Sequence, residues 1–422
     1  MQLSRRGFLS GLMVSAGLRA QAPRPNIVFV LADDLGWNDL GYQNPDVRSP
    51  NIDRLAAKGV RFTQYHSHAV CSPTRASFHT GRTAFRVGVP SPVPRGEALP
   101  LSEKLLPQYL AEAGYQTWLV GKWHLGSITD AHWPHKRGYQ HHYGFLGGSI
   151  DYYTHAMANR PDWFRNGEAV DEAGYSTDLL AAEASNLIRK RDESKPFFLN
   201  LSFNAPHTPL QAPESFTANF TQVANANRRA FLAMIEAMDG AIGRVYGTLE
   251  ELGLAANTLF VFMSDNGAQT AMGGGSDAPL RGAKDGAFEG GLRVPAFALW
   301  PDGLEGGWVF DRLFTVMDWL PTLAAAARFE LDPAIPLDGV NMWPYVHDGN
   351  WVKRESAILG GGANSAVFSG DWKLVQNAGN RFLFRIGDDP NEEKDLAGEN
   401  ADVVERLTAI LRDHPIGTPD RM

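Results

Sequence analysis

Four short apolar runs in this chain each end abruptly in charged or polar residues. The run in "PNIVFVLADDLG" stops at Asp33-Asp34, and the run in "GYQTWLVGKWHLG" stops at Gly121, Lys122 and His124. The run in "KPFFLNLSFNAPHTP" ends near Asn204 and His207, and "NTLFVFMSDNGA" ends at Ser264, Asp265 and Asn266. Continuous apolar stretches of this length predict strands buried on both faces, as in a parallel sheet. "SPNIDRLAAKG" predicts a short helix, with Ser49 as N-cap, Pro50 in the first turn and Gly59 as the stop. Between the third and fourth runs, Phe231, Ile235, Met238, Ile242, Val245 and Leu249 recur every three or four residues, the pattern of an amphipathic helix. Strands alternating with helices define an α/β sheet. In such sheets ligands bind beyond the carboxyl ends of the strands. Four ends carrying Asp-Asp, Lys-x-His, His and Asp-Asn therefore point to one shared site.

The pattern changes near residue 335. "SAVFSGDWKLVQ" and "NRFLFRIGDDP" alternate with period two, and "NADVVERLTAILRDH" reads as a closing helix. The expected organisation is residues 1–22 as a separate leader, 23–334 as an α/β catalytic domain, and 335–422 as a small antiparallel sheet plus helix. The acidic stretch "GDDPNEEKD" reads as a solvated loop.

Composition narrows the class. With 44% hydrophobic and 20% charged residues over 422 positions, the chain reads as a soluble globular protein. A net charge of -8 argues against general nucleic-acid binding and requires a locally positive pocket for any anionic substrate. The leader "MQLSRRGFLSGLMVSAGLRAQA" has a twin arginine, an 11-residue apolar run and a small-x-small site at Ala20 and Ala22. That run makes about 16 Å of helix at ~1.5 Å per residue, too short for a hydrocarbon core of about 30 Å. It predicts a bacterial twin-arginine export signal, a periplasmic or secreted protein, and no stable membrane insertion.

Export makes the cysteine usage unusual, because oxidising compartments favour disulfides and this chain has one cysteine. Cys71 lies in "AVCSPTRASFHTGR". Ser72-Pro73 predicts a helix starting there, which sets Cys71 at an anion-friendly N-terminus with Arg75 on the same face. Residue chemistry alone leaves Cys71 as an inert core residue, a thiol nucleophile served by His66 or His68, or a precursor of another group. Asp33, Asp34, Asp265 and Asn266 offer hard oxygen ligands suited to Ca²⁺ or Mg²⁺. Arg75, Lys122, His124, His207 and Lys284 supply the positive pocket, with the histidines as proton carriers.

The pattern Cys71-x-Pro73-x-Arg75, followed by Thr80-Gly81-Arg82, resembles the signature of the type I sulfatases. "NIVFVLADDLG", "GKWHLG", "APHTP", "SDNG" and "LRGAKDGAFEGGLRVP" resemble further motifs of that family, in its order, over roughly residues 25 to 301. The resemblance implies an alkaline phosphatase-like fold: a large mixed, mostly parallel sheet sandwiched by helices. It implies that a separate maturation enzyme oxidises Cys71 to Cα-formylglycine. It also implies Ca²⁺, or Mg²⁺ in its place, held by Asp33, Asp34, Asp265 and Asn266 with residue 71 completing the shell. In the implied mechanism the aldehyde is hydrated, Asp265 takes a proton from one hydroxyl, and that oxygen attacks sulfur. Lys122, Lys284 and the metal hold the sulfate oxygens, and His207 or Lys284 protonates the leaving alcohol. His124 then deprotonates the second hydroxyl and sulfate is expelled. A plain alcohol or thiol would instead remain covalently sulfated.

Two rivals stay open: a phosphatase or phosphonate ester hydrolase of the same superfamily, and an inactive carbohydrate-binding protein. Six of the twelve histidines fall between residues 124 and 155, among Trp133, Tyr139, Tyr143, Tyr152 and Tyr153. That density predicts a saccharide-recognition loop, with Trp133, Asp151, His155 and Arg281 as substrate-binding candidates. "RGYQHHYGFLGGSIDYYTH" and "YSTDLL" resemble the arylsulfatase B branch, which implies a sulfated saccharide such as N-acetylgalactosamine 4-sulfate as substrate.

Overall fold

The computed structural model describes residues 24–422, so the export-signal reading of residues 1–22 lies outside the described residues. Among them, ten strands form one large sheet. In chain order these are β1 (Asn26–Ala32), β2 (Val60–Phe62), β3 (Gln116–Lys122), β4 (His141–Phe145), β5 (Phe164–Arg165), β6 (Glu168–Ala169), β7 (Phe197–Ser202), β8 (Thr258–Ser264), β9 (Ala296–Leu299) and β10 (Trp308–Phe310). Their spatial order is β6-β5-β4-β3-β7-β1-β8-β9-β2-β10. The five central strands β4, β3, β7, β1 and β8 are mutually parallel, while β9 and β5 pair antiparallel on either side. The four strands expected from the sequence are thus consecutive neighbours, and their carboxyl ends share one edge.

Burial on both faces explains the apolar runs. Along β1, Ile27, Phe29 and Leu31 enter the core on one face, and Val28, Val30 and Ala32 enter the core on the other. Helices α1 (Pro50–Lys58), α3 (Ser176–Lys190) and α4 (Ala226–Glu251) cover the second face through Ile52, Leu180 and Ile242, among others. Helix α2 (Cys71–Thr80) lies against the first face and is buried at all ten positions. It begins where Pro73 predicts and ends at Gly81, whose φ of 64° is the left-handed cap that glycine adopts without strain. One detail of α1 departs from expectation. Ser49 makes no side-chain cap; its hydroxyl donates to Asp53 Oδ1 at 2.9 Å and accepts from the Gly41 amide.

A separate four-stranded antiparallel sheet follows: β11 (Ala357–Gly361), β12 (Asn364–Ser369), β13 (Trp372–Asn377) and β14 (Asn380–Arg385). Helix α5 (Ala401–Arg412) covers one face, where Leu407 meets Ile358, Val367, Leu374 and Leu383. The opposite face, with Leu359, Ala366, Val375 and Phe384, joins the main core. The fold is the expected one: a mixed, mostly parallel sheet between helices, with a small antiparallel sheet and helix after it. No helix among the described residues is long and apolar enough to cross a membrane.

Candidate active site

The carboxyl ends of β1, β8, β3 and β7 deliver their polar residues to the N-terminus of α2. Asp33 and Asp34 follow β1, with Asp34 turned by a φ of 65°. Asp265 and Asn266 follow β8. Lys122 closes β3, and the preceding Gly121 has a φ of 116° and lies so close to β7 that a Cβ would sit 1.8 Å from the Ser202 carbonyl oxygen. Only glycine lets the two strands approach there.

Contacts bind these residues into one cluster. Lys122 Nζ donates to Asp33 Oδ2 at 2.5 Å, with both side chains wholly buried. Arg75, one turn into α2, donates to Asp265 Oδ2 at 2.7 Å, to Ser202 Oγ and to the Lys122 carbonyl. Lys284 Nζ bonds both Asp34 oxygens at 2.6 and 2.8 Å and lies 3.8 Å from Cys71 Sγ. Asn266 Nδ2 donates to Asp34 Oδ1 at 2.7 Å. His207 Nε2 lies 3.6 Å from Asp34 Oδ2, while its Nδ1 is paired with the Thr208 carbonyl at 2.6 Å. His124 is half-buried with a φ of 53°; a Cβ at Gly148 would touch its ring, and its buried Nδ1 has no hydrogen-bond partner among the described residues. Ser72 braces it by donating to the His124 carbonyl at 2.8 Å.

Electrostatics follow from this crowding of charge in a dry site. Burial pushes the Cys71 thiol up to about 12, although Lys122 and Lys284 oppose the shift. A thiolate is therefore scarce at neutral pH. His66 and His68 do not serve it: His66 pairs with Glu289, and His68 lies between the Gly360 carbonyl and Ser77 Oγ. Burial, then the cations Lys122 and Arg75, hold His124 well below the usual imidazole range, so it is neutral and able to accept a proton. Burial and the neighbouring Asp33 raise Asp265 above the usual carboxylate range, against Arg75.

The donor set suits a hard divalent cation. Asp33, Asp34, Cys71 and His207 each present an atom within 4.8 Å of the others. Asp33 Oδ1 and Asn266 Oδ1 are buried oxygens with no hydrogen-bond partner among the described residues. Orphaned acceptors of this kind are costly unless something binds them, and oxygen donors fit Ca²⁺ or Mg²⁺.

The four substrate candidates lie differently. His155 is 3% exposed, stacks on Trp163 at 4.5 Å and bonds the Gly174 carbonyl, so direct contact with a sugar is not open to its ring. The Asp151 carboxylate is taken up by the amides of Tyr153 and Thr154 and by Gln211. Trp133 packs edge-on against Phe164. Arg281 stacks over Phe288 at 4.1 Å and bonds the Glu392 carbonyl. The polar and ring contacts of all four therefore go to residues outside the cluster around Cys71. Sequence reading missed Ser202, whose only signal was its place at the end of β7, and Ser72. It also missed the buried charges Glu289, Lys373 and Glu392; the last of these lies in the stretch read as a solvated loop but is wholly buried.

A mixed sheet whose strand ends gather acids, cations and a buried helix N-terminus is the fold of the alkaline phosphatase-like enzymes. Within that class the chain belongs to the sulfatase family, whose family model matches residues 25–329. It is 37% identical to arylsulfatase J of Mus musculus over 341 residues, covering 78% of this chain and 57% of that protein. It is 31% identical to N-acetylgalactosamine-6-sulfatase of Homo sapiens over 458 residues, covering 93% of this chain and 86% of that protein. Among solved structures it resembles Ps i-CgsB in complex with k-i-k-neocarrahexaose, with 33% identity, a TM-score of 0.87 and 92% of each chain covered.

Proposed function

We propose that this enzyme releases inorganic sulfate from a sulfated saccharide, with Cys71 converted to Cα-formylglycine and a divalent cation, Ca²⁺ or Mg²⁺, held by Asp33, Asp34, Asp265 and Asn266. The observation that carries the reading is the placement of Cys71. It sits at a helix N-terminus, 3.8 Å from Lys284, inside a cluster whose buried oxygens call for a cation. When present, the cation would neutralise sulfate charge, and a hydrated aldehyde at position 71 would supply one hydroxyl to attack sulfur and a second to release it.

The chain's own residues do the remaining work. Lys122 and Lys284 hold sulfate oxygens, and Arg75 fixes Asp265 at 2.7 Å. Asp265, with its raised affinity for a proton, takes one from the nucleophile. His207 is oriented by the Thr208 carbonyl, which leaves Nε2 to deliver a proton to the leaving alcohol. His124, kept neutral, accepts the proton that frees sulfate.

The substrate reading rests on relatives. One is named as an N-acetylgalactosamine-6-sulfatase, and another was solved in complex with k-i-k-neocarrahexaose. A sulfated polysaccharide fragment in the periplasm or outside the cell, with 4- or 6-sulfated N-acetylgalactosamine as one candidate unit, fits them and the reading of residues 1–22 as an export signal.

Matched aryl sulfate and aryl phosphate esters test the reaction. Sulfate release should exceed phosphate release by at least about a hundredfold in kcat/KM; a phosphate preference overturns the assignment. Mass spectrometry of the Cys71 peptide from the native host should show the aldehyde, and an unmodified thiol in active enzyme removes it. For the recognition loop, Trp133→Ala, and His155→Ala by loosening the loop through loss of its stack on Trp163 and not through contact with sugar, should each raise KM for a sulfated oligosaccharide several-fold, with kcat on a small aryl sulfate within about twofold of wild type. Unchanged KM in both takes this segment out of sugar binding.

A further inference from the structure

A second charged cluster lies beneath the loop that carries Lys284, and no step above uses it. Glu289, five residues beyond Lys284, is wholly buried. It receives His66 Nε2 at 3.0 Å and Lys373 Nζ at 2.8 Å, and Arg293 stands 3.7 Å away. Lys373, from β13, also pairs with Glu392 at 2.8 Å, and both are fully buried. Glu392 Oε2 accepts the Glu289 amide at 2.6 Å, and its carbonyl accepts Arg281 Nη1 at 3.0 Å. Two more bonds run from the antiparallel sheet to the same loop. Asn364 Nδ2 donates to the Asp285 carbonyl at 2.8 Å, and Asn377 Oδ1 accepts the Ala287 amide at 3.1 Å.

The Lys284 loop is therefore held at residues 281, 285, 287 and 289 by groups drawn from residues 364 to 392. Among the described residues, Lys284 itself contributes its contacts to Asp34 and Cys71 and its backbone bond to Ala268. A long flexible amine on a glycine-rich loop needs such external fixing if it is to meet a sulfate oxygen reproducibly. Buried charges also make the anchor two-sided. Removing one partner leaves another charge unpaired in a dry site, so the loop either keeps this geometry or lets go of it. Against its burial, Lys373 and His66 hold Glu289 well below the usual carboxylate range, and burial pushes Glu392 up to about 7.

We infer that Lys373 and Glu392 are positioning residues for the reaction: acting through Glu289, they fix the loop that presents Lys284 to the substrate's anionic group. The inference rests on the sulfatase reading, in which Lys284 touches sulfate.

A double-mutant cycle on an aryl sulfate tests it, using the full mature enzyme and the variants Lys284→Ala, Lys373→Met and both together. Lys373→Met alone should lower kcat/KM by about a hundredfold, the scale of a 1 Å misplacement. In the Lys284→Ala background the same change should cost less than about threefold, because the group it positions is gone. Hydrogen exchange should speed up in residues 281–292 of Lys373→Met and stay unchanged in β1 and β8. Losses that multiply independently, or exchange that quickens across the whole molecule, overturn the inference in favour of a general stabilising role. If Lys284→Ala turns over like wild type, the reading of Lys284 fails first. Should Lys373→Met not fold, Glu392→Gln, which preserves size and an acceptor for the Glu289 amide, enters the same cycle with the same expected non-additivity.

Discussion

Replacing Cys71 with alanine should cut sulfate release by at least about 10⁴-fold in kcat/KM while the protein stays folded. The fold has little to lose, since the side chain is small and, among the described residues, its polar contact is a 3.8 Å approach of Lys284 to sulfur. The change removes about one methylene's worth of buried surface, on the order of 1 kcal/mol. On the proposed chemistry, catalysis loses the position at which the nucleophile is built, beside Lys284. Cys71→Ser separates the two halves of the reaction. A serine hydroxyl can attack sulfur, but it has no second hydroxyl with which to expel the group. The variant should therefore gain one sulfo group per chain by mass spectrometry and then stall. Steady turnover by Cys71→Ala on aryl sulfate would sink the proposed chemistry.

Lys122→Met should be the most damaging change to the scaffold of the site. Its ammonium and the Asp33 carboxylate are both wholly buried and 2.5 Å apart. Taking away one partner of such a pair costs about 3–5 kcal/mol, because the remaining charge is stranded in a dry environment. Turnover should fall by about 10³-fold as well, the scale for one preorganised group on developing charge. The pH dependence has a definite sign. Although burial works against it, Lys122 holds Asp33 below its usual value in the native enzyme. That stability is present above the ordinary carboxylate pKa and disappears as pH falls through the depressed one. In the variant, Asp33 can protonate at mildly acidic pH, so the stability gap to wild type should narrow from pH 7 to pH 5 in urea unfolding. Added Ca²⁺ should recover part of the loss at pH 7, as a ligand that binds only the folded state does. A variant as stable as wild type at pH 7, with or without Ca²⁺, would show that the pair is not what holds Asp33.

Much of this arrangement was legible because it is written in local pattern. The apolar runs ending at Asp33, Lys122, His207 and Asp265 marked strands buried on both faces, and parallel order then forced their ends together. Pro73 placed the start of α2, and with it the position of Cys71. What could not be read were pairings between distant residues. Nothing around Glu392 distinguishes it from its exposed neighbours Asp388 and Glu393; its burial depends on Lys373 arriving from another strand. His155 looked like a sugar contact because histidine and tyrosine crowd that segment, yet the ring found Trp163 instead. Ser49 had the right residue type for a cap, but Asp53 one turn later competed for its hydroxyl. The two- and three-residue edge strands carry too few alternating positions to announce themselves.

The antiparallel sheet's double role has a consequence for where this molecule can be cut. The stretch matched by the family model ends at residue 329, but His68 leans on Gly360, and Glu289 on Lys373 and Glu392. One face of the later sheet also supplies Leu359, Val375 and Phe384 to the main core. A fragment trimmed to the matched stretch would bare an oily surface and a stranded carboxylate side by side. Shuffling or minimising this enzyme is therefore expected to need residues 330–422 along with the matched stretch.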